Sequence, residues 1–184
     1  MSVVQDLVIN RFGRPIIVDS EISLCWTANY LKFYKHGHYL SNLDSSPLGH
    51  AVCGVVGMGL GGNHAVAIVS DAAMLKQSKV STAVRYESKA IWLVMNSSQY
   101  GTVDPWTRTW GDVPPPYSVP YTDFEVLAGA VLCKASTVTG ENGLRTALGE
   151  ALVRDGPTVI NVLIGSPPVA PLEPEEKSSS VMPR

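Results

Sequence analysis

Four short apolar runs constrain the fold of this chain more than any other feature of its sequence. They cover residues 15–18, 64–69, 91–95 and 158–163, and they are rich in valine and isoleucine. Runs of this length and composition are typical of strands that are buried on both faces of a sheet. Patterns typical of helices separate them. This alternation predicts an α/β fold, an open and mostly parallel sheet with helices on both faces.

Weaker patterns extend the same alternation along the chain. Two further strands are predicted at residues 39–43 and 134–138. Helices are predicted at residues 3–11, 26–34, 75–86, 123–129 and 141–153. Thr122 or Asp123 can cap the fourth of these helices, because both side chains carry an oxygen that accepts from helix N–H groups.

The segment at residues 49–62 contains six glycines among alanine and valine residues. It allows two interpretations. One is an unspecific loop, and the other is a tightly packed helix whose small residues let the backbone, the sheet or a ligand approach closely. The apolar run that follows at residues 64–69 favours the helix, because a helix between two strands forms a βαβ unit.

Composition indicates a folded domain followed by a tail. Of the 184 residues, 45% are hydrophobic and 16% are charged, values typical of a chain with a core. We expect a single domain over residues 1–165. Residues 166–184 are rich in proline, serine and glutamate, and we expect this tail to be disordered.

Charge and hydropathy argue against several classes of partner. The net charge is −2 and there is no basic stripe, so we expect neither nucleic acid nor an anionic membrane as a partner. No apolar run is long enough to span a bilayer, and the first residues lack the features of a signal peptide. We therefore expect a cytoplasmic protein. The three cysteines lie in apolar stretches without a C-x-x-C motif, and we expect buried thiols rather than disulfides or a zinc site.

Small polar residues follow three of the apolar runs. Asp19 and Ser20 follow the first, Ser70 and Asp71 the second, and residues 96–97 the third. In open parallel sheets, ligands bind beyond the carboxyl ends of the strands. These positions are therefore the predicted binding site, although the pattern alone names no ligand.

Three segments, taken together, resemble a known family. They are SSPLGHAVCGVVGMGLG, then VAIVSDAAML with STAVRYESKAIWLVMNSSQYGTV, and finally TDFEVLAGAV with ENGLRTALGEALVRDGPTVINVLI. Their order and spacing are similar to the diphosphate-binding (PP) domain of thiamine-diphosphate enzymes, the group of acetolactate synthase, benzoylformate decarboxylase and pyruvate decarboxylase. The resemblance covers residues 3–164.

The resemblance implies two cofactors, thiamine diphosphate and Mg²⁺. Asp71 lies where the family has its metal-binding aspartate, and Ser97 lies where it has a metal-binding asparagine. Gln99 lies where a backbone carbonyl completes the metal shell. Mg²⁺ takes hard oxygen ligands and bridges phosphates to a carboxylate, which explains these residue types.

The resemblance also implies contacts to the organic cofactor. Asn96 aligns with the first asparagine of the family motif, and helix N–H groups around Ser70 and Ala72 are expected to bind phosphate. Leu48 matches the apolar wedge that keeps the cofactor bent, and the carbonyl of Ser46 is expected near its aminopyrimidine. The remaining expected contacts are Ser20, Ala73 and Tyr100.

The sequence departs from the family pattern at the cofactor motif itself. Where the family has Gly-Asp-Gly, this chain has Ser70, Asp71 and Ala72, and Ser97 replaces the second asparagine. Serine offers magnesium a weaker oxygen than an amide does, and Ala72 adds a methyl group beside the diphosphate. Two hypotheses follow. Either the chain retains cofactor binding, or it is a degenerate structural or regulatory subunit.

A partner is implied by what the sequence lacks. The family's pyrimidine-binding (PYR) domain carries the glutamate that activates the cofactor, and no part of this chain resembles it. The resemblance therefore implies a separate PYR subunit, in an α2β2 heteromer. The implied activity is decarboxylation or carboligation of a small 2-oxo acid, with the cofactor as electron sink.

Several other side chains are candidates for the site. His50 follows the Leu48–Gly49 pair and is the candidate catalytic acid–base residue, although it could equally point into helix packing. His64 is expected at the surface. Trp106, Trp110 and Tyr117 lie in a loop that is predicted to contact either the substrate or the partner.

Overall fold

The structure is a computed structural model that describes residues 1–20, 22–42, 44–76, 78–98 and 120–165. Its centre is a six-stranded sheet in which every pairing is parallel. In chain order the strands are β1 (Ile16–Val18), β2 (Tyr39–Ser41), β3 (Ala65–Ser70), β4 (Ala90–Asn96), β5 (Lys134–Val138) and β6 (Thr158–Leu163). Their order across the sheet is β2-β1-β3-β4-β6-β5. The predicted open parallel sheet is confirmed.

Helices cover both faces of this sheet. The first, α1, begins as an α-helix at Ser2–Val4 and continues as a π-helix at Gln5–Arg11. The others are α2 (Ile22–Tyr30), α3 (His50–Leu60), α4 (Asp71–Met74), α5 (Ser78–Arg85), α6 (Phe124–Ala130) and α7 (Gly140–Ala151). Within the described residues, no helix is both long enough and apolar enough to cross a bilayer.

The strands divide their side chains between two hydrophobic cores. On one face, Trp92 and the other strand side chains that point to the same side of the sheet pack against α3, α5 and α6. On the other face, Leu93 and the strand side chains that point to that side pack against α1 and α7. Because successive strand side chains point to opposite faces, a strand that is covered on both sides must be apolar throughout. This explains the continuous apolar runs in the sequence.

Small residues let α3 lie against the sheet. A Cβ built on Gly59 would lie 2.7 Å from the backbone nitrogen of Ala90 and 2.5 Å from Oγ of Ser88, which is too close for any side chain. Gly49, directly before the helix, has a φ of 91°, which favours glycine. The helical interpretation of the glycine-rich segment is therefore confirmed, and it rests on close backbone packing.

Some predicted boundaries were wrong. The helix predicted at 26–34 is Ile22–Tyr30, four residues earlier at each end. The helix predicted at 75–86 corresponds to α5 alone, and the short helix α4, which ends at Met74, was not predicted. His64, expected at the surface, is 6% exposed, and its Nε2 lies 2.7 Å from the carbonyl of Arg154. Of the three cysteines predicted to be buried, Cys133 is buried, Cys25 is half-buried and Cys53 is exposed.

Candidate cofactor site

The candidate site lies where β1, β3 and β4 end. These strands are neighbours in the sheet, with Val18 paired to Ile68 and Ser70 paired to Met95. Because all three strands are parallel, their carboxyl ends meet at one edge, and the polar residues that follow them lie at that edge. The three strand ends singled out from the sequence are therefore brought together.

Asp71 is the carboxylate at the centre of this edge. It is 4% exposed and begins α4 directly after β3. Its Oδ1 accepts from the N–H of Ala72 at 2.8 Å, and its Oδ2 accepts from the N–H of Ser98 at 2.8 Å. Ser98 has a φ of 54°, and this turn after β4 directs its N–H at the carboxylate. A carboxylate has about four acceptor sites, so each oxygen keeps a lone pair for a cation.

Ser70 takes the place of the first glycine of the family motif without backbone strain. Its φ of −80° and ψ of 167° are extended values that any residue can adopt. Its side chain caps α4, because Oγ accepts from the N–H of Ala73 at 3.1 Å. The N–H groups of Ala72 and Ala73, which we expected to bind phosphate, thus donate to side chains of this same motif.

Asn96 serves mainly to link strands. It is 3% exposed, and its Nδ2 donates to the carbonyl of Thr122 at 2.9 Å and to Oδ1 of Asn161 at 3.0 Å. Nδ2 of Asn161 in turn donates to Oγ1 of Thr137 at 3.3 Å. This chain of amides was not expected from the sequence. Both hydrogens of the Asn96 amide are used within the domain, and its next neighbour Ser97 is half-buried at the strand end.

A second carboxylate, Asp19, lies at the end of β1; the sequence places it at the predicted binding site but assigns it no role. It is fully buried, and its Oδ2 accepts from the N–H of Gly49 at 2.9 Å. Its Oδ1 lies 3.0 Å from Nδ1 of His50 and accepts from the N–H of Ser20 at 3.2 Å. Burial raises the pKa of Asp19, although the N–H of Gly49 and the neighbouring His50 lower it. Acidic residues at a strand end are the only sequence signal that marked it.

The remaining predicted contacts lie around this carboxylate. Oγ of Ser20 donates to the carbonyl of Asn42 at 3.0 Å. Leu48 is half-buried and packs against the core beneath α3, and Ser46 has a φ of 42° in the turn before it. His50 begins α3 with its ring largely buried. Gln99, Tyr100, Trp106, Trp110 and Tyr117 lie outside the described residues.

The donor chemistry of Asp71 fits a magnesium ion that also binds phosphate. No group of three His, Cys, Asp or Glu side chains suited to a metal occurs in the part of the chain that the structure describes. Mg²⁺ usually binds through one or two carboxylates, waters and the phosphates of a ligand rather than in a cage of protein side chains. A single carboxylate that two backbone N–H groups orient is compatible with such a site.

Comparison with known proteins decides the family. Residues 22–162 match the family described as "Thiamine pyrophosphate enzyme, C-terminal TPP binding domain". The chain belongs to this family. The match covers most of the chain and includes the ends of β3 and β4, whereas the end of β1 lies just before it.

Relatives of this domain include much longer proteins. A Mycobacterium tuberculosis protein named as an acetolactate synthase large subunit, IlvB2, is 26% identical over 155 residues, which are 83% of this chain and 28% of that protein. The thiamine pyrophosphate-containing protein YdaP of Bacillus subtilis is 23% identical over 84% of this chain and 27% of its own length. This thiamine pyrophosphate-binding domain therefore spans less than a third of these relatives.

Solved structures share the fold. A thiamine diphosphate-dependent 4-hydroxybenzoylformate decarboxylase from Rhodococcus jostii superposes with a TM-score of 0.79 at 20% identity, over 89% of this chain and 31% of that one. A thiamin diphosphate-dependent enzyme from Mycobacterium smegmatis gives a TM-score of 0.73 at 21% identity, over 90% of this chain and 31% of its own.

Proposed function

We propose that this domain binds the magnesium diphosphate end of thiamine diphosphate in a decarboxylase or carboligase of 2-oxo acids. The observation that carries the proposal is Asp71, a nearly buried carboxylate that two backbone N–H groups orient at the ends of β3 and β4. Among the relatives, one is named as an acetolactate synthase subunit and one solved neighbour as a decarboxylase, which supports this reaction class.

In this proposal Asp71, Ser97 and the backbone carbonyl of Gln99 hold Mg²⁺. The motif Ser70–Ala73 faces the diphosphate, with Asn96 supporting it from the next strand. Leu48 holds the cofactor bent, and Ser20, Ser46 and Tyr100 complete its surroundings. When bound, thiamine diphosphate supplies a ring that accepts the electron pair released as carbon dioxide leaves the substrate. The chain's own part is to position the cofactor and to hold charge.

His50 is the proposed acid–base residue of this domain. Its ring lies at the start of α3, two residues after Leu48, and its Nε2 has no hydrogen-bond partner among the described residues. The glutamate that activates the cofactor is proposed to come from a PYR domain outside this sheet. We propose further that this PYR domain is a separate subunit of a cytoplasmic α2β2 assembly. The division of the chain into a folded PP domain at residues 1–165 and a tail at 166–184 stays a prediction.

Calorimetry on the native assembly tests the proposal. A tag on this chain isolates it with its partners from its own cells, and thiamine diphosphate is titrated in the presence of Mg²⁺. We expect Asp71→Asn to weaken binding by about tenfold or more, equivalent to about 1.4 kcal/mol. Asp155→Asn is the control, because the Asp155 side chain is 92% exposed and precedes β6, at the opposite ends of the parallel strands from the motif. Unchanged affinity in Asp71→Asn, or no binding by the unaltered assembly, would refute the proposal.

A degenerate subunit is the second candidate, and one observation favours it. The N–H groups of Ala72 and Ala73 donate to Asp71 and Ser70, whereas a diphosphate would need such donors free or shared. If this candidate is right, Asp71→Asn leaves both cofactor affinity and activity of the assembly unchanged. The native mass of the same assembly, measured by light scattering, tests the predicted α2β2 composition.

A further inference from the structure

The turn that carries Leu48 is fastened to the end of β1 by one buried carboxylate. Oδ2 of Asp19 accepts from the N–H of Gly49, the residue directly after Leu48, at 2.9 Å. Oδ1 of Asp19 lies 3.0 Å from Nδ1 of His50, which also lies 3.1 Å from the carbonyl of Pro47. Asp19 and His50 therefore hold the backbone on both sides of Leu48.

These contacts also determine where the hydrogen of the His50 ring lies. The carbonyl of Pro47 can only accept a hydrogen bond, and the carboxylate of Asp19 accepts as well. Nδ1 must then be the donor to both. In the neutral ring the hydrogen is consequently on Nδ1, and Nε2 carries a lone pair. Nε2 is buried without a partner among the described residues, so no protein group competes for that lone pair.

Burial makes this arrangement strong and sensitive to substitution. Asp19 is fully buried, and three groups, two backbone N–H groups and one imidazole, donate to it. Removing a buried acceptor leaves its donors unsatisfied, which costs more than the net gain of a hydrogen bond between exposed groups. Among the hydrogen bonds of the described residues, no other buried side chain at the end of β1 binds the turn at residues 47–49.

We propose that Asp19 is a positioning residue that acts through the N–H of Gly49 and the ring of His50, setting the position of Leu48 and keeping the His50 hydrogen on Nδ1. The cofactor part of this inference rests on the function proposed above, whereas the tautomer part does not depend on it. Asp19 makes no contact with the reacting atoms in this account. Its effect is to fix the position of an apolar side chain and to keep Nε2 of His50 unprotonated near the strand ends.

The first test is nitrogen-15 NMR of the His50 ring in the full chain without cofactor. We expect the tautomer with hydrogen on Nδ1 in the unaltered protein. In Asp19→Ala we expect a mixture of tautomers, because Nδ1 then keeps only the neutral carbonyl of Pro47, at 3.1 Å, of its two acceptors, and a neutral acceptor holds a hydrogen bond more weakly than a carboxylate does. Asp44→Ala is the matched control, because Asp44 is an exposed carboxylate on the same connection between β2 and α3. If His50 keeps a single Nδ1–H tautomer in a folded Asp19→Ala protein, the inference is wrong.

The second test compares two substitutions of His50 in the native assembly. The amide nitrogen of asparagine lies nearly where Nδ1 lies, whereas that of glutamine lies nearer the place of Nε2. We expect His50→Asn to retain cofactor affinity within about twofold and His50→Gln to lose about tenfold, equivalent to about 1.4 kcal/mol. Equal losses in both variants, with thermal unfolding showing both folded, would overturn the positioning role.

The two tests separate this inference from the proposed function. If the unaltered assembly binds no thiamine diphosphate but the tautomer changes in Asp19→Ala, the proposed function fails and the control of His50 by Asp19 stands. If the assembly binds cofactor but the tautomer does not respond to Asp19→Ala and the two His50 variants lose affinity equally, the positioning inference fails and the proposed function stands.

Discussion

At the scale of single residues, Asp19 has the most consequential surroundings in the domain. Burial is the largest influence on this carboxyl, and it raises the pKa above the ordinary value of 3.8. The folded chain therefore binds the proton more tightly than the unfolded chain does. Between pH 3.8 and the raised pKa, Asp19 binds more protons in the folded state than in the unfolded state. The stability that this group contributes is therefore fully present below pH 3.8, and it is lost as the pH rises through the raised pKa.

Substitution of Asp19 by asparagine removes that pH dependence. We expect the free energy of unfolding of the unaltered chain, minus that of Asp19→Asn, to fall as the pH rises from below 3.8 towards neutrality. Urea unfolding at a series of pH values measures both, and taking the difference cancels the titration of groups that do not interact with residue 19. A difference that grows with pH over this range would contradict the burial argument.

The cysteines offer a separate check on local packing. Burial raises the pKa of the Cys133 thiol to about 11, and the residue is 5% exposed. Cys53 is exposed on α3. Because the thiolate is the reactive form, we expect an alkylating reagent at neutral pH to modify Cys53 rapidly and Cys133 only after unfolding. Mass spectrometry of timed samples measures the modification of both thiols. Early labelling of Cys133 in the folded chain would contradict the burial of its thiol in the core.

At the scale of elements, the close packing of α3 against β4 makes a sharp prediction. A methyl group at Gly59 would meet Oγ of Ser88 at 2.5 Å and the backbone of residues 89–90. Gly59→Ala should therefore cost about 1–3 kcal/mol of stability, as overpacking of a core does. Gly57→Ala is the matched control in the same helix, because nothing lies within 4 Å of its Cβ.

The control should change stability in the opposite direction. Alanine is favoured over glycine in a helix interior by about 0.5–1 kcal/mol, so Gly57→Ala should stabilise the chain. Urea unfolding of both variants gives the comparison. Equal effects of the two substitutions would mean that α3 does not lie against β4 as described.

The elements also show which features a sequence reveals. The strand at Lys134–Val138 and the helix within residues 49–62 were predicted, because apolar periodicity and small residues are local signals. The start of α2 was missed, since no pattern distinguished Ile22 from its neighbours. The burial of His64 depends on the carbonyl of Arg154, 90 residues away, and no local signal carries such a contact.

At the scale of the whole molecule, the topology brings the site together. The order β2-β1-β3-β4-β6-β5 makes β1, β3 and β4 neighbours. The polar residues that follow these three strands are a signal that the sequence alone carries. The family resemblance was confirmed for residues 22–162. The Asp19–His50 pair could not be predicted, because its members are 31 residues apart and are brought together only by the turn at Gly49.

The central claim is that Asp71 binds the metal that holds the diphosphate. Crystals of the native assembly grown with thiamine diphosphate and Mn²⁺ in place of Mg²⁺ test it through the anomalous scattering of manganese. We expect an anomalous peak within about 2.0–2.3 Å of an Asp71 carboxylate oxygen, the usual range for a hard divalent ion. A cofactor bound with its manganese on other residues, or crystals with no peak beside Asp71, would contradict the account.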